Sequence, residues 1–125
     1  MLVRTVGELI GGDRDVAWGN GYSRRLLLAA DGRGFSMTET LVAPGTSSIL
    51  RYDNHFEACY CVEGRGEVIV YGVSYPISVG TMYAPERGET HLLRSIEGMR
   101  LICTFNPPLI GPERHVLTET EASTY

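Results

Sequence analysis

Between Gly45 and His91 the chain is a succession of short runs of β-branched and aromatic residues, each cut off by glycine. No run there is long enough to sustain an amphipathic helix, so this half of the chain is restricted to short strands joined by tight turns. In a strand, residues two apart share a face. That parity predicts Arg51, Asp53, His55 and Glu57 in line on one side of one strand. A second glycine-bounded block, GTMYAPERGETH, brings Tyr83 and His91. A carboxylate, a phenol and an imidazole converging inside a closed sheet would make a metal site.

The rest of the chain extends the pattern. An edge strand is expected over Leu2–Val6, then a turn at Gly11-Gly12 and a loop over Asp13–Tyr22 that carries Trp18. The run Ser23–Ala30 reads as one strand of a hairpin turning at Asp31–Gly34, with Phe35–Val42 as its partner. In that partner Phe35, Met37 and Leu41 face one way, and Ser36, Thr38 and Thr40 the other. Threonines on an outward, wet face are the commoner arrangement; inward, they would line a polar cavity. Further strands are expected near Ile49–Asn54, Glu57–Val62, Glu67–Tyr71, Ser74–Ile77, His91–Ser95 and Arg100–Phe105. The turns between them fall at Glu63–Gly66, Gly72 and Ser78–Gly80. Asn106-Pro107-Pro108 ends the sheet, because proline cannot donate to a ladder. The polar tail from about residue 113 to 125 is either a frayed end or a lid. With 125 residues, this describes one all-β domain, a barrel or sandwich with short helical turns.

Composition narrows the partners. The formal net charge is −4 and no basic run stands out, which argues against nucleic acid. All 11 basic residues are arginine, so a lysine Schiff base is excluded. No signal peptide and no apolar run of the roughly 18 residues a membrane span needs is visible, so a cytoplasmic protein is expected. Cys59, Cys61 and Cys103 then read as buried thiols; the Cys59-x-Cys61 spacing is a weak zinc signal. Edge strands that need cover predict a homodimer.

The two glycine-bounded blocks resemble the paired motifs of the cupin superfamily. Gly45, five residues, Arg51-x-Asp53, three residues, Glu57, six residues and Gly64 follow the first motif, without its two histidines; Gly80, Pro85, Gly88 and His91 follow the second. Within that superfamily the chain resembles the ectoine synthases along nearly its whole length. The likeness is carried by NHFEACYCVEGRGEV (54–68), YPISVGTMYA (75–84), THLLR (90–94) and CTFNPPL (103–109), and more weakly by SRRLLL (23–28), GFSMTET (34–40) and the start.

The resemblance implies a cupin fold, the double-stranded β-helix or jelly-roll barrel. It also implies cyclisation of the small molecule N-γ-acetyl-2,4-diaminobutyrate to the osmolyte ectoine with loss of water, by an iron-dependent lyase. Carried over, the metal ligands are Glu57, Tyr83 and His91 for Fe2+ or another divalent ion. Substrate contacts are Arg25, Thr38, Thr40, Tyr52, Cys103 and Phe105. Apart from the resemblance, His55, on the same strand as Glu57, and Glu113 and His115 in the tail are the acid–base candidates. A mostly oxygen donor set of this kind suits iron on chemical grounds as well. Two departures stand out. Gly21 replaces a tryptophan common in that family, with Trp18 or Tyr22 available to fill the space, and the hairpin Val68–Tyr75 is shorter. The alternatives are an iron cupin acting on a related amino-acid derivative, by hydrolytic or oxygen-dependent chemistry, and a non-catalytic small-molecule sensor.

Overall fold

The computed structural model describes residues 1–125 and contains nine strands in one sheet. They are β1 (Asp15–Ala17), β2 (Gly21–Leu27), β3 (Ser36–Val42), β4 (Ser47–Arg51), β5 (Phe56–Val70), β6 (Val73–Ile77), β7 (Met82–Tyr83), β8 (His91–Asn106) and β9 (Ser123–Thr124). The hub is β8. Along one edge it pairs antiparallel with β5; along the other its first residues pair with β4 and its last with β3. Sharing one strand between β4 and β3 curls the sheet into the open barrel of the cupin fold.

The segments expected as separate strands around Glu63–Gly66 are one continuous β5. Its glycines serve the close approach of two strands and not a turn. A Cβ at Gly64 would lie 1.8 Å from the Gly98 carbonyl oxygen, and one at Gly66 2.2 Å from that of Arg94. The register shows why the strand can run on. From Leu101 to Arg100 on β8, β5 advances two residues, from Cys61 to Glu63, so Val62 is an extra residue in a bulge. That bulge flips parity: Glu57, Cys59 and Cys61 are buried before it, Gly66 and Val68 after it. The hairpin to β6 turns on Tyr71 and Gly72, both with positive φ (50° and 77°), as a two-residue turn whose twist matches the strands requires.

Three further expectations change. Leu2–Val6 is not a strand; Thr5 instead caps a short helix, α1 (Val6–Leu9), and Glu8 reciprocates in a capping box. Part of the expected Asp13–Tyr22 loop forms β1 against β2. Arg51 and Asp53 do not share an inward face with Glu57, because β4 ends at Arg51. The two side chains pair with each other at the surface, with Arg51 Nε 2.9 Å from Asp53 Oδ1.

Elsewhere charges organise the outside. Asp31 accepts from Arg4 (2.8 Å) and Arg14 (3.0 Å) and from the Leu28 backbone N–H, which holds its carboxyl well below the usual carboxylate range. These bonds tie the N-terminal segment to the end of β2. No helix is long and apolar enough to cross a membrane. The core gathers Val42, Leu50, Cys59, Cys61, Leu93 and Leu101 among its buried members.

Candidate functional site

The even residues of β3 turn inward. Ser36 and Thr38 are fully buried, and the Thr38 and Thr40 hydroxyls lie 3.0 Å apart. Opposite them, β5 and β8 present Glu57, Cys59, Cys103 and Phe105, while β2 contributes Ser23 and Arg25. Thr40 and these side chains of β2, β5 and β8 line a cavity of about 30 Å³, with Ser36 and Thr38 buried beside it. Of the residues singled out from sequence, the structure places Arg25, Thr40, Tyr52, Glu57, Tyr83, Cys103, Phe105 and His115 in its wall. His55, Thr38 and His91 are buried but outside that lining, and Glu113 is also outside it.

Glu57 is 5% exposed and burial raises its pKa; nearby His91 and the Cys59 thiol, which donates to Oε1 at 2.9 Å, oppose the rise. A carboxylate so placed needs a cation or several donors to remain ionised. His91 is 1% exposed. Its Nδ1 lies 3.1 Å from the Glu89 carbonyl oxygen, so that nitrogen carries the proton and donates. The other nitrogen, Nε2, is buried without a hydrogen-bond partner. A backbone carbonyl fixing one imidazole nitrogen so that the other can ligate is the usual support of a metal histidine.

Tyr83 sits on β7 directly across from Cys59. Burial pushes its phenol well above the usual 10, with the Cys59 thiol and Glu57 adding to the rise. A bound cation would reverse that balance and favour the phenolate. No three His, Cys, Asp or Glu side chains are grouped to hold an ion. The trio of Glu57, Tyr83 and His91 includes only two of those types, so a metal reading needs the phenol. With that phenol the donor set, one carboxylate, one phenol and one imidazole nitrogen without a partner, is of the kind that would suit a divalent cation.

The C-terminal segment closes the other side. β9 pairs parallel with β4, and the Asp53 backbone N–H donates to the Tyr125 carbonyl at 3.2 Å. His115 is 7% exposed; its Nδ1 lies 3.0 Å from Ser123 Oγ and its Nε2 3.0 Å from the Tyr52 hydroxyl. Burial lowers its pKa to about 3, so it is neutral at pH 7. The Tyr125 ring lines the cavity, 4.6 Å from the His115 ring and edge-on to Tyr52 at 5.1 Å.

Arg25, 1% exposed, donates from Nη1 to the Gly111 carbonyl and from Nη2 to the Glu113 carbonyl. Its guanidinium is therefore shared between the cavity and the tail. The Glu113 carboxylate accepts from the Ile110 and Gly111 N–H groups (2.8 and 2.7 Å), which makes it part of the turn that presents those carbonyls. His55 Nδ1 lies 2.7 Å from the Pro107 carbonyl and must donate to it, leaving Nε2 as the basic nitrogen.

Sequence reasoning passed over Ser23, Cys59 and Tyr125 as cavity residues. Ser23 was within reach, since it shares parity with Arg25 on one strand. Tyr125 carried a weaker signal, an aromatic ending an otherwise polar tail. Of the two residues offered for the space beside Gly21, Trp18 lines the cavity and Tyr22 is 49% exposed.

Comparison with known proteins places the chain in a family and a fold. The family model described as ectoine synthase matches residues 1–123. An L-ectoine synthase from Desulfatibacillum aliphaticivorans is 50% identical over 119 residues, 92% of each chain. One from Wolinella succinogenes is 48% identical over 92% of this chain and 91% of its own. The crystal structure of ectoine synthase from P. lautus superposes with a TM-score of 0.84 at 41% identity, covering 98% of this chain and 96% of that one. A Cupin 2 conserved barrel protein from Salinispora arenicola, at a TM-score of 0.67 and 20% identity over 84% and 87% of the chains, shares the fold.

Proposed function

Because the chain belongs to the ectoine synthase family, we propose that it closes N-γ-acetyl-2,4-diaminobutyrate to the cyclic amidine ectoine with loss of water, acting as a carbon–oxygen lyase. The observation that carries the reading is the buried Nε2 of His91, which has no hydrogen-bond partner and lies in a residue close enough to the buried Glu57 carboxylate to oppose the rise in its pKa. A divalent ion, Fe2+ or another, held by Glu57, Tyr83 and His91 would supply Lewis acidity toward the acetyl oxygen.

The chain's own residues supply the rest. The β2 wall, with Arg25 at its centre, anchors the substrate carboxylate and fixes the α-amine near the acetyl carbon, making the attack intramolecular. The α-ammonium must first lose a proton. His55, with its Nδ1 committed to the Pro107 carbonyl, is the base proposed to accept it, whereas burial keeps His115 from taking up a proton. Attack forms the C–N bond and leaves a tetrahedral carbinolamine. Return of a proton to its hydroxyl expels water, and loss of the remaining N–H proton completes the C=N bond. Exclusion of bulk water by the tail favours this dehydration over its reverse.

A cavity of about 30 Å³ holds little more than a water or two, against the ~300 Å³ or more of typical small-molecule sites. Admission of substrate therefore requires Tyr125 and the segment behind it to move. The outer groove beside β6, with Val73, Tyr75 and Met82 exposed along an edge that pairs only with β5, is the surface on which a second copy of the chain would form the homodimer. The three free thiols suit a reducing compartment, and the cytoplasm is the proposed location.

The test is direct. Protein loaded with Fe2+ under anaerobic conditions and given N-γ-acetyl-2,4-diaminobutyrate should yield ectoine by proton NMR. Binding without turnover would favour the sensor, and a requirement for O2 the oxidative alternative. Glu57→Ala and His91→Ala should each lose stoichiometric metal; retention of the ion by both would remove the ligand assignment.

A further inference from the structure

Four buried side-chain atoms have no hydrogen-bond partner: Asp15 Oδ1, Trp18 Nε1, Arg24 Nε and His91 Nε2. Two of these face one another, since Arg24 Nε lies 3.5 Å from Asp15 Oδ1 as an ion pair. His91 Nε2 is the nitrogen that the metal reading uses. The indole nitrogen of Trp18 remains, in a residue 5% exposed that lines the central cavity. Unlike a histidine, an indole has no second tautomer and no acceptor capacity; its N–H can only donate. Left unpaired away from water, such a group forfeits a hydrogen bond that a ligand's acceptor could restore.

The residue is held in place. Its backbone N–H donates to the Gly21 carbonyl at 3.1 Å, closing the β1–β2 turn, and its ring meets His115 edge-on at 6.5 Å. Ser23 and Arg25 also line the cavity from β2, and the Trp18 Nε1 lies 3.3 Å from where a Cβ on Gly21, of the same parity as Ser23 and Arg25, would stand.

We infer that the Trp18 indole N–H donates a hydrogen bond to the substrate's carboxylate, making Trp18 a substrate-binding and specificity-determining residue. The inference deepens the cyclisation reading and rests on it. The substrate has two acceptors, the acetyl oxygen and the carboxylate. The first belongs with the Glu57 and Tyr83 wall, where its carbonyl is to be polarised; the second then falls to the donor wall of β1 and β2. An ionised acceptor gives the stronger bond. A buried donor committed to it rejects molecules without that group, because their binding leaves the donor unpaired.

Metal-loaded native protein and Trp18→Phe are compared on N-γ-acetyl-2,4-diaminobutyrate and on N-acetyl-1,3-diaminopropane, which lacks only the carboxylate. For the first, KM should rise about tenfold in the variant with kcat within about twofold. For the second, native and variant should behave alike. An unchanged KM for the full substrate, or an equal penalty on both compounds, overturns the assignment. Should the variant fail to fold, the native protein still decides. Trp18 is its single tryptophan, and its emission should shift on saturation with substrate or ectoine but not with the decarboxylated analogue. The same shift with both overturns the assignment. Native protein that neither binds nor turns over the substrate sinks the cyclisation reading and this inference together, whereas native turnover with an indifferent Trp18→Phe sinks this inference alone.

Discussion

Replacing His115 with glutamine should remove an acid sensitivity from the fold. Burial lowers the imidazole from its ordinary 6.5 to about 3. A histidine that must stay neutral to remain buried contributes its full stability above 6.5. That contribution is lost as pH falls toward 3, because the released side chain takes up a proton that the docked one refuses. Each unit of that interval is worth about 1.4 kcal/mol, so docking should weaken by about 2 kcal/mol at pH 5 and by about 3 kcal/mol at pH 4. What is released first is the segment His115 holds, through Ser123 and Tyr52. Glu57 titrates in the opposite sense: burial raises its pKa, so folding gains as it protonates. The variant must therefore be compared with the native chain at each pH, so that Glu57 cancels. Urea unfolding of both proteins, followed by Trp18 emission from about pH 8 to pH 5, gives the difference curve. It should be flat above about pH 7 and slope below it. A difference that stays constant down to pH 5 would refute the reasoning.

Other perturbations have equally definite outcomes. Gly64→Ala puts a Cβ 1.8 Å from a backbone oxygen at a φ of 87°; it should cost more than about 3 kcal/mol in urea unfolding. Gly72→Ala, with φ 77° and open space around it, should cost only about 1 kcal/mol. Asp31→Asn weakens the bonds from Arg4 and Arg14 and should destabilise by about 2 kcal/mol near neutral pH. The native chain should lose the same contribution below about pH 4, since the Asp31 carboxyl is held low. Arg25→Lys cannot reach both the Gly111 and Glu113 carbonyls. Trypsin should then cut after Arg114 several-fold faster than in the native chain, read by mass spectrometry.

The β2–β3 hairpin was legible because Asp31–Gly34 is a strong turn signal between two apolar runs, and the motif spacing pointed to the cupin barrel. The parity of β3 was readable too, but not its direction. Whether Thr38 and Thr40 face water or a cavity depends on β8 lying beside them, which no local pattern states. Arg51 and Asp53 misled because even spacing predicts a shared face only while the strand lasts, and β4 stops at Arg51. Gly64 and Gly66 misled in the opposite way. A glycine demanded by a close backbone contact looks, in sequence, like one demanded by a turn. The tail was ambiguous because three anchors, His115, Ser123 and Tyr125, are thinly spread among polar residues, and their docking depends on Tyr52 and on β4.

Val62 sets a rule for how such a barrel can change length. It is the odd residue that lets one strand show its carboxylate and thiols to the interior at one end and Val68 at the other. Deleting it, or inserting a single residue elsewhere in that ladder, would turn one end of the strand inside out. Lengthening and shortening are therefore tolerated at hairpin tips such as Tyr71-Gly72, where no parity is at stake. Anyone splicing segments between relatives of this chain should place the junctions there and transplant the bulge whole.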